Sequence, residues 1–168
     1  MSFSAIHRFF DDVEVGEEFE SHGRTVTETD IVNFAGLSGD YNPIHMDHEF
    51  AKSTPFRRPI AHGLLTFSIG SGLAVMSPPM RTIAFIRVDV WNFVGPVFIG
   101  DTVQMKSKVL KKELRGRGRR GEIHWHRRIV NQEGKTVQEG TLVTMVESRL
   151  VLRPSPAATA EAVSPVAG

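Results

Sequence analysis

The chain has 168 residues, 40% of them apolar and 23% charged, which suits one packed core and excludes a disordered chain or a coiled coil. It contains no Cys, so a disulfide scaffold, a thiolate metal site and a Cys nucleophile are excluded together, leaving oxygen and imidazole chemistry. The net charge of +1 is unevenly placed: Lys111 to Arg128 holds eight Lys/Arg against two Glu, a local +6, while the rest carries twelve basic and seventeen acidic residues, −5.

The opening "MSFSAIHRFFDDVEVGEE" has no sustained apolar run and turns acidic, unlike a leader peptide. From Val13 to Thr27, alternating residues around a Gly-containing break suggest a short strand or hairpin at a sheet edge. Thr27 and Asp30 stand in capping-box spacing ahead of Ile31, Val32, Phe34 and Leu37, with Gly36 and Gly39 at the end. This predicts a short helix that stops just before Asp40. Asp47 to Lys52 adds one helical turn, and "STPFRRPIAHG" is a loop punctuated by Pro55 and Pro59.

His62 to Met76 is apolar on nearly every side and its polar members are small, so it reads as a helix buried all round, ended by Pro78 and Pro79. Interrupted by Thr66, Ser68, Gly70, Ser71 and Gly72, its apolar run falls short of the roughly 20 residues a membrane span requires. A cytoplasmic protein is expected.

Four long strands follow, "RTIAFIRVDVWNF", "DTVQMKSKVLKKEL", "EIHWHRRIVNQ" and "KTVQEGTLVTMVES", with hairpin turns at Gly116 to Gly121 and Asn131 to Gly134. One buried helix and a run of antiparallel strands imply an α+β fold with the sheet curled around the helix. A single domain over 1–153 is expected, followed by a disordered Pro/Ala/Ser tail over 154–168.

The stretch "GDYNPIHMDHEFA" sets Asp40, an Asn42-Pro43 turn and two His within nine residues. Asp40 and His45 would diverge on a continuous helix, so the Asn42-Pro43 bend must bring them together: Pro43 fixes its own φ and Asn42 bonds the local backbone. A carboxylate and an imidazole converging on one water can exchange protons with it near neutral pH. Gly63, where the long helix begins, has a backbone N–H at a helix N-terminus with no side chain to obstruct approach.

Phe34, Leu37, Ser38, Gly39, Asp40, Asn42, Pro43, Ile44, His45 and Ala51 match in type and spacing the signature of the MaoC-like (R)-specific enoyl-CoA hydratases, which this chain therefore resembles. The likeness extends through "FRRPIAHGLLTFSIGSGL" and "GPVFIGDTV", and covers roughly Val13 to Ser148. It implies a hot-dog fold, an antiparallel sheet wrapping a long helix, in a homodimer or larger homo-oligomer with sites near the interface. It also implies reversible hydration of a trans-2-enoyl-CoA to the (R)-3-hydroxyacyl-CoA, without metal or other cofactor, CoA being part of the substrate. By the same resemblance Asp40 and His45 orient and activate the water, with Asp40 the base and His45 its partner. Gly63 is the matching oxyanion position, Ser71 a supporting hydrogen-bond residue, and Asn42 shapes the positioning turn.

Other readings stand beside this one. A hot-dog acyl-CoA thioesterase would use a carboxylate and water against the carbonyl carbon, and Asp40 alone would suit it. A non-catalytic acyl-CoA or nucleic-acid binding module needs neither residue. His45, Asp47 and His48 on a loop make no zinc pattern, so His48 reads as a surface residue, and His124 and His126 share one strand face as any residues two apart do. Gly70 and Gly72 are explained by close packing and not by a nucleophile loop. The basic run at Lys111 to Arg128 is first a solvated hairpin tip, then a dock for CoA phosphates, and least of all a nucleic-acid site. Arg57 and Arg58 are read with the same caution.

Overall fold

The computed structural model describes residues 7–149; the expected tail at 154–168 lies outside the described residues. The β-branched and aromatic runs of the second half form the bulk of one antiparallel sheet. Its strands are β1 (Glu18–Glu20), β2 (Arg24–Thr25), β3 (Thr82–Phe93), β4 (Thr102–Arg115), β5 (Arg120–Val130) and β6 (Thr136–Glu147), in the order β1-β4-β5-β6-β3 with β2 also on β4. The short strands β1 and β2 are the edge structure expected between Val13 and Thr27. Both predicted hairpins form: one turns over Gly116–Gly118, the other around Asn131, whose Oδ1 accepts from the N–H groups of Glu133 and Lys135.

The helices are α1 (Glu28–Ser38), α2 (Pro43–Met46), α3 (His48–Lys52) and α4 (Gly63–Val75). The Thr27/Asp30 capping box is present: Thr27 Oγ1 accepts from Asp30 N–H at 3.2 Å and Asp30 accepts from Thr27 N–H at 2.8 Å. Gly39 ends α1 in the left-handed region at φ 76°, where a side chain would be strained.

On α4, Leu65, Ile69, Leu73 and Ala74 pack against Val103, Met105, Ile129 and Val137 of the sheet. A second cluster under β4 to β6 gathers Val13, Val109, Ile123, Trp125, Leu142 and Val146. Gly70 sits so close to β5 that a Cβ there would lie 2.5 Å from Ile129, whereas Gly72 faces open space, so close packing accounts for the first glycine only.

Within one chain α4 is not buried all round. Leu64 and Val75 are 61% and 66% exposed, and Ser68 and Gly72 share that open face. The cause is topological. Among the described residues the last strand, β3, pairs with β6 alone, and nothing beyond it covers this side of the helix. Ile83, Phe85, Val88, Val90 and Phe93 are accordingly exposed along β3. Among the described residues, no helix is long and apolar enough to cross a membrane.

The basic run is not simply a solvated tip. Lys111 and Arg115 pair with Glu113, and Arg115 also reaches Glu122, across the outer face of the β4–β5 hairpin. Arg127 instead points inward, 7% exposed, because it falls in the same period-two register as Ile123, Trp125 and Ile129.

Candidate active site

The chain leaves α1 through Gly39 and turns at once. Asn42 N–H donates to Asp40 Oδ1 at 3.2 Å, and Asn42 Oδ1 caps α2 by accepting from Ile44 N–H at 3.1 Å. Pro43 occupies the first helical position, where its missing N–H costs nothing. His45 then lies on the turn of α2, its Nε2 4.0 Å from Asp40 Oδ2. The Asn42-Pro43 bend thus brings the two sequence-selected residues together, and the Asn42 side chain is consumed in shaping that bend. Asp47 closes the segment by accepting from the N–H groups of Glu49 and Phe50 at the start of α3, and His48 turns outward to Glu28 at 2.7 Å.

His45 Nδ1 lies 2.7 Å from the Ile60 carbonyl oxygen. A carbonyl only accepts, so Nδ1 carries the proton and Nε2 of the neutral ring presents its lone pair toward Asp40. Burial holds the His45 pKa below its ordinary 6.5; the neighbouring His62 ring adds to this, while the Ile60 hydrogen bond and the Asp40 charge oppose it. A separation of 4.0 Å is too long for a direct hydrogen bond and suits a water held by both groups.

The structure adds a residue that the sequence reading passed over. His62 is 2% exposed, stacks on His45 with ring centroids 3.9 Å apart, and donates from Nε2 to the Asp40 backbone carbonyl at 2.9 Å. It therefore ties the Asp40 loop to the residue preceding α4. Its Nδ1 is buried with no partner among the described residues. Only its place beside Gly63 in "AHG" hinted at a role, since its neighbours come from α1, α2 and the loop between them.

Gly63 is the first residue of α4, so its N–H has no acceptor within the helix. Its carbonyl accepts from Gln138 Nε2 at 2.9 Å, and Gln138 Oε1 accepts from Trp91 Nε1 at 3.0 Å, which fixes the helix start to β6 and β3. A Cβ at Gly63 would lie 2.8 Å from the Phe93 ring, so a side chain there would have to displace that ring of β3. His45, Ile60, Gly63, Phe93, Pro96 and Gln138 all line one cavity of ≈ 470 Å³. Gln138 and Phe93 carried no signal in the sequence beyond strand periodicity.

Ser71 is not brought to this group within one chain. It follows Gly63 by two turns, about 12 Å along the helix axis, and lines a separate cavity with Trp125 and Arg127. Arg57 donates to the Lys52 carbonyl and Arg58 lies over the Phe98 ring, so both have local roles.

Potential ligand atoms of Asp40, His45 and His62 lie within 4.8 Å of one another. His62 Nε2 is committed to a carbonyl and His45 Nδ1 likewise, so the lone pair that faces the Asp40 carboxylate is that of His45 Nε2, and one imidazole with one carboxylate is a poor metal donor set. Glu113, Glu122 and His124 also converge, but Lys111 and Arg115 already neutralise those carboxylates.

Residues 12–127 match the family model described as "MaoC like domain". The (R)-specific enoyl-CoA hydratase of Rhodospirillum rubrum is 33% identical over 86% of this chain and 95% of its own length. Protein MaoC of Klebsiella aerogenes is 34% identical over 64% of this chain, a stretch that spans 32% of that longer protein. Among solved structures, a MaoC-like dehydratase from Rhodospirillum rubrum aligns with a TM-score of 0.77 at 28% identity, covering 88% of this chain and 99% of that one. A Mycobacterium tuberculosis protein described as having a double hotdog fold aligns with a TM-score of 0.76 over 96% of this chain and 53% of that one, at 18% identity a likeness of fold alone. The expected α+β hot-dog architecture, a sheet around α4, is the one found.

Proposed function

This chain belongs to the MaoC-like dehydratase family, and from that premise we propose that it adds water to a trans-2-enoyl-CoA, giving the (R)-3-hydroxyacyl-CoA, and catalyses the reverse dehydration. The observation that carries the reading is the orientation of His45. With Nδ1–H given to the Ile60 carbonyl, Nε2 is an acceptor 4.0 Å from Asp40 Oδ2, near enough for one water to bond both.

The chemistry follows from that geometry. A water donating one O–H to Asp40 and the other to His45 Nε2 presents its lone pair to the substrate β-carbon. As the C–O bond forms, Asp40 takes a proton from the water, and the thioester oxygen gains negative charge. The Gly63 N–H, at the positive end of α4, stabilises that oxygen. The α-carbon is then protonated from the Asp40/His45 pair, which returns to its starting state, so one water is added and no electron is exchanged. The pair acts as one coupled proton store. Asn42 holds the turn and His62 holds the Asp40 backbone; both position Asp40. No metal or other cofactor is needed in this scheme, and CoA enters with the substrate.

The functional unit is proposed to be a homodimer. A twelve-residue apolar strand with an open edge, lying beside an exposed helix face, is an aggregation liability unless a second copy pairs with it. A thioesterase reading would leave the neutral, oriented His45 without a task. The cytoplasm remains the expected location.

Crotonyl-CoA tests the reaction. Loss of enoyl absorbance without free thiol, with the product of (R) configuration, is expected; thiol release with the double bond intact would replace this proposal by the thioesterase. Silence across several acyl chains would leave a binding module.

A further inference from the structure

Arg127 is a buried cation without an ion-pair partner among the described residues. It is 7% exposed, its Nε makes no hydrogen bond among the described residues, and no carboxylate there lies within ion-pairing distance of it. The Trp125 ring centroid lies 5.4 Å from the guanidinium carbon. Burial pushes the guanidinium down to about 10, so it is still charged at neutral pH. A buried charge left unpaired is costly, and folded proteins retain one where an anion meets it.

The surroundings are built for such an anion. Arg127 lines a cavity of ≈ 250 Å³ together with Ser71, Met80, Phe85, Trp125 and Thr144. Ser71 Oγ is likewise buried with no partner among the described residues. Thr144 Oγ1 accepts from Trp125 Nε1 at 2.9 Å, which leaves its own O–H free to donate. A guanidinium and two hydroxyl donors between apolar walls match the two oxygens and single charge of a carboxylate. Phosphate, more highly charged, is poorly served by one cation.

The dimer proposed above connects this cavity to the chemistry. Phe93, at one end of β3, flanks Gly63, while Thr82 and Phe85, at the other end, line the Arg127 cavity. Antiparallel pairing of β3 with its copy about the strand's centre sets Phe93 of one subunit beside Thr82 of the other. The Gly63 cavity of each subunit then adjoins the Arg127 cavity of its partner.

We propose that the Arg127 cavity is a carboxylate-binding site, with Ser71 and Thr144 as accessory donors, and that it receives the distal carboxylate of the acyl chain of an enoyl-CoA held at the partner's Gly63. The second clause rests on the hydratase and dimer readings; the first does not. Ser71 thereby has a task at the far end of the substrate.

The test compares trans-2-hexenoyl-CoA with its analogue of equal length whose terminal methyl is replaced by a carboxylate. The native protein is expected to favour the carboxylate-ended thioester at least tenfold in kcat/KM. Arg127→Met should abolish that ratio and Arg127→Lys should retain part of it. A second arm follows the melting temperature with free adipate, which should rise for the native protein and stay unchanged for Arg127→Met. A rise with adipate but no preference between thioesters keeps the carboxylate site and assigns it a free acid. Neither a preference nor a rise overturns the proposal. If neither thioester is hydrated, the hydratase reading fails by itself and the adipate arm still decides the site.

Discussion

The neighbourhoods of His45 and Arg127 are both polar and built around an unusual basic side chain, yet they differ in how their polar atoms are satisfied. Around His45 the backbone does the work: carbonyls of Ile60 and Asp40 fix the orientation of two imidazoles, and His45 Nε2 is left facing the Asp40 carboxylate. Around Arg127 no carbonyl or carboxylate of the described residues intervenes, and among them the guanidinium and Ser71 hydroxyl are held by packing alone. The first is a site pre-organised by its own chain, and the second is organised for something that arrives. Groups fixed by backbone contacts should therefore lose activity on substitution in proportion to their closeness to the water, whereas removing the unpaired cation should relieve the fold.

The largest effect is expected at Asp40. Asp40→Asn keeps the hydrogen bond from Asn42 N–H but removes the base, and kcat for crotonyl-CoA should fall about 10³-fold, within the range for a lost general acid–base group. Because the carboxylate is half exposed, circular dichroism and melting should stay near native. Turnover close to native would remove the pair from the mechanism.

His62→Phe separates stacking from hydrogen bonding. The ring contact with His45 is kept while the bond to the Asp40 carbonyl is lost, so Asp40 shifts without changing chemically. A drop of roughly 10- to 10²-fold in kcat with KM little changed is expected, as a small misplacement of a catalytic group produces. If His62 is only a core residue, kcat will follow the loss of folded protein and vanish as a separate effect once that is corrected.

The pH dependence of His45 gives a smaller and signed effect. Its pKa is held below 6.5 in the fold, so the unfolded chain binds the proton more readily as pH falls. Stability from this group is complete above 6.5 and is lost as the pH falls from there through the lowered value. Activity should show an acid limb with its midpoint below 6.5, and His45→Gln should remove the matching part of the decline in melting temperature. A midpoint above 6.5 would show that Asp40, and not burial, controls the ring.

The smallest effect sharpens the contrast most. Arg127→Met replaces an unpaired buried cation with an apolar chain of similar length, and the melting temperature measured without ligand should hold or rise. His62→Phe, which breaks a buried hydrogen bond, should instead cost about 1–3 kcal/mol in denaturant unfolding. A marked loss of stability in Arg127→Met would mean that the guanidinium is already paired in the assembled protein.

How much of this was legible depends on how local each feature is. Asp40, Asn42, Pro43 and His45 lie within one turn, where residue type and spacing fix the geometry, and they came together as read. The four strands, the long helix and the capping box of α1 were equally plain from periodicity and turn chemistry. His62 was invisible because its partners are assembled by contacts such as Ile60 N–H to the Ile44 carbonyl and Ala61 N–H to the Val97 carbonyl, which no local pattern encodes. Arg127 lay hidden in a basic run. Its alternation with Ile123, Trp125 and Ile129 placed it on the inner face, but charge composition argued for solvent, and the strand register prevailed.

By itself the sequence determined the element types, the α+β fold and the Asp40/His45 turn, because these depend on side-chain period and on backbone preferences within a few residues. Only the tertiary structure decided that β3 is an open edge, that α4 keeps an uncovered face, that His62 braces Asp40, and that Ser71 sits with Arg127 instead of with His45. Those outcomes depend on which strand ends the sheet and which side chains the packed layers set against one another.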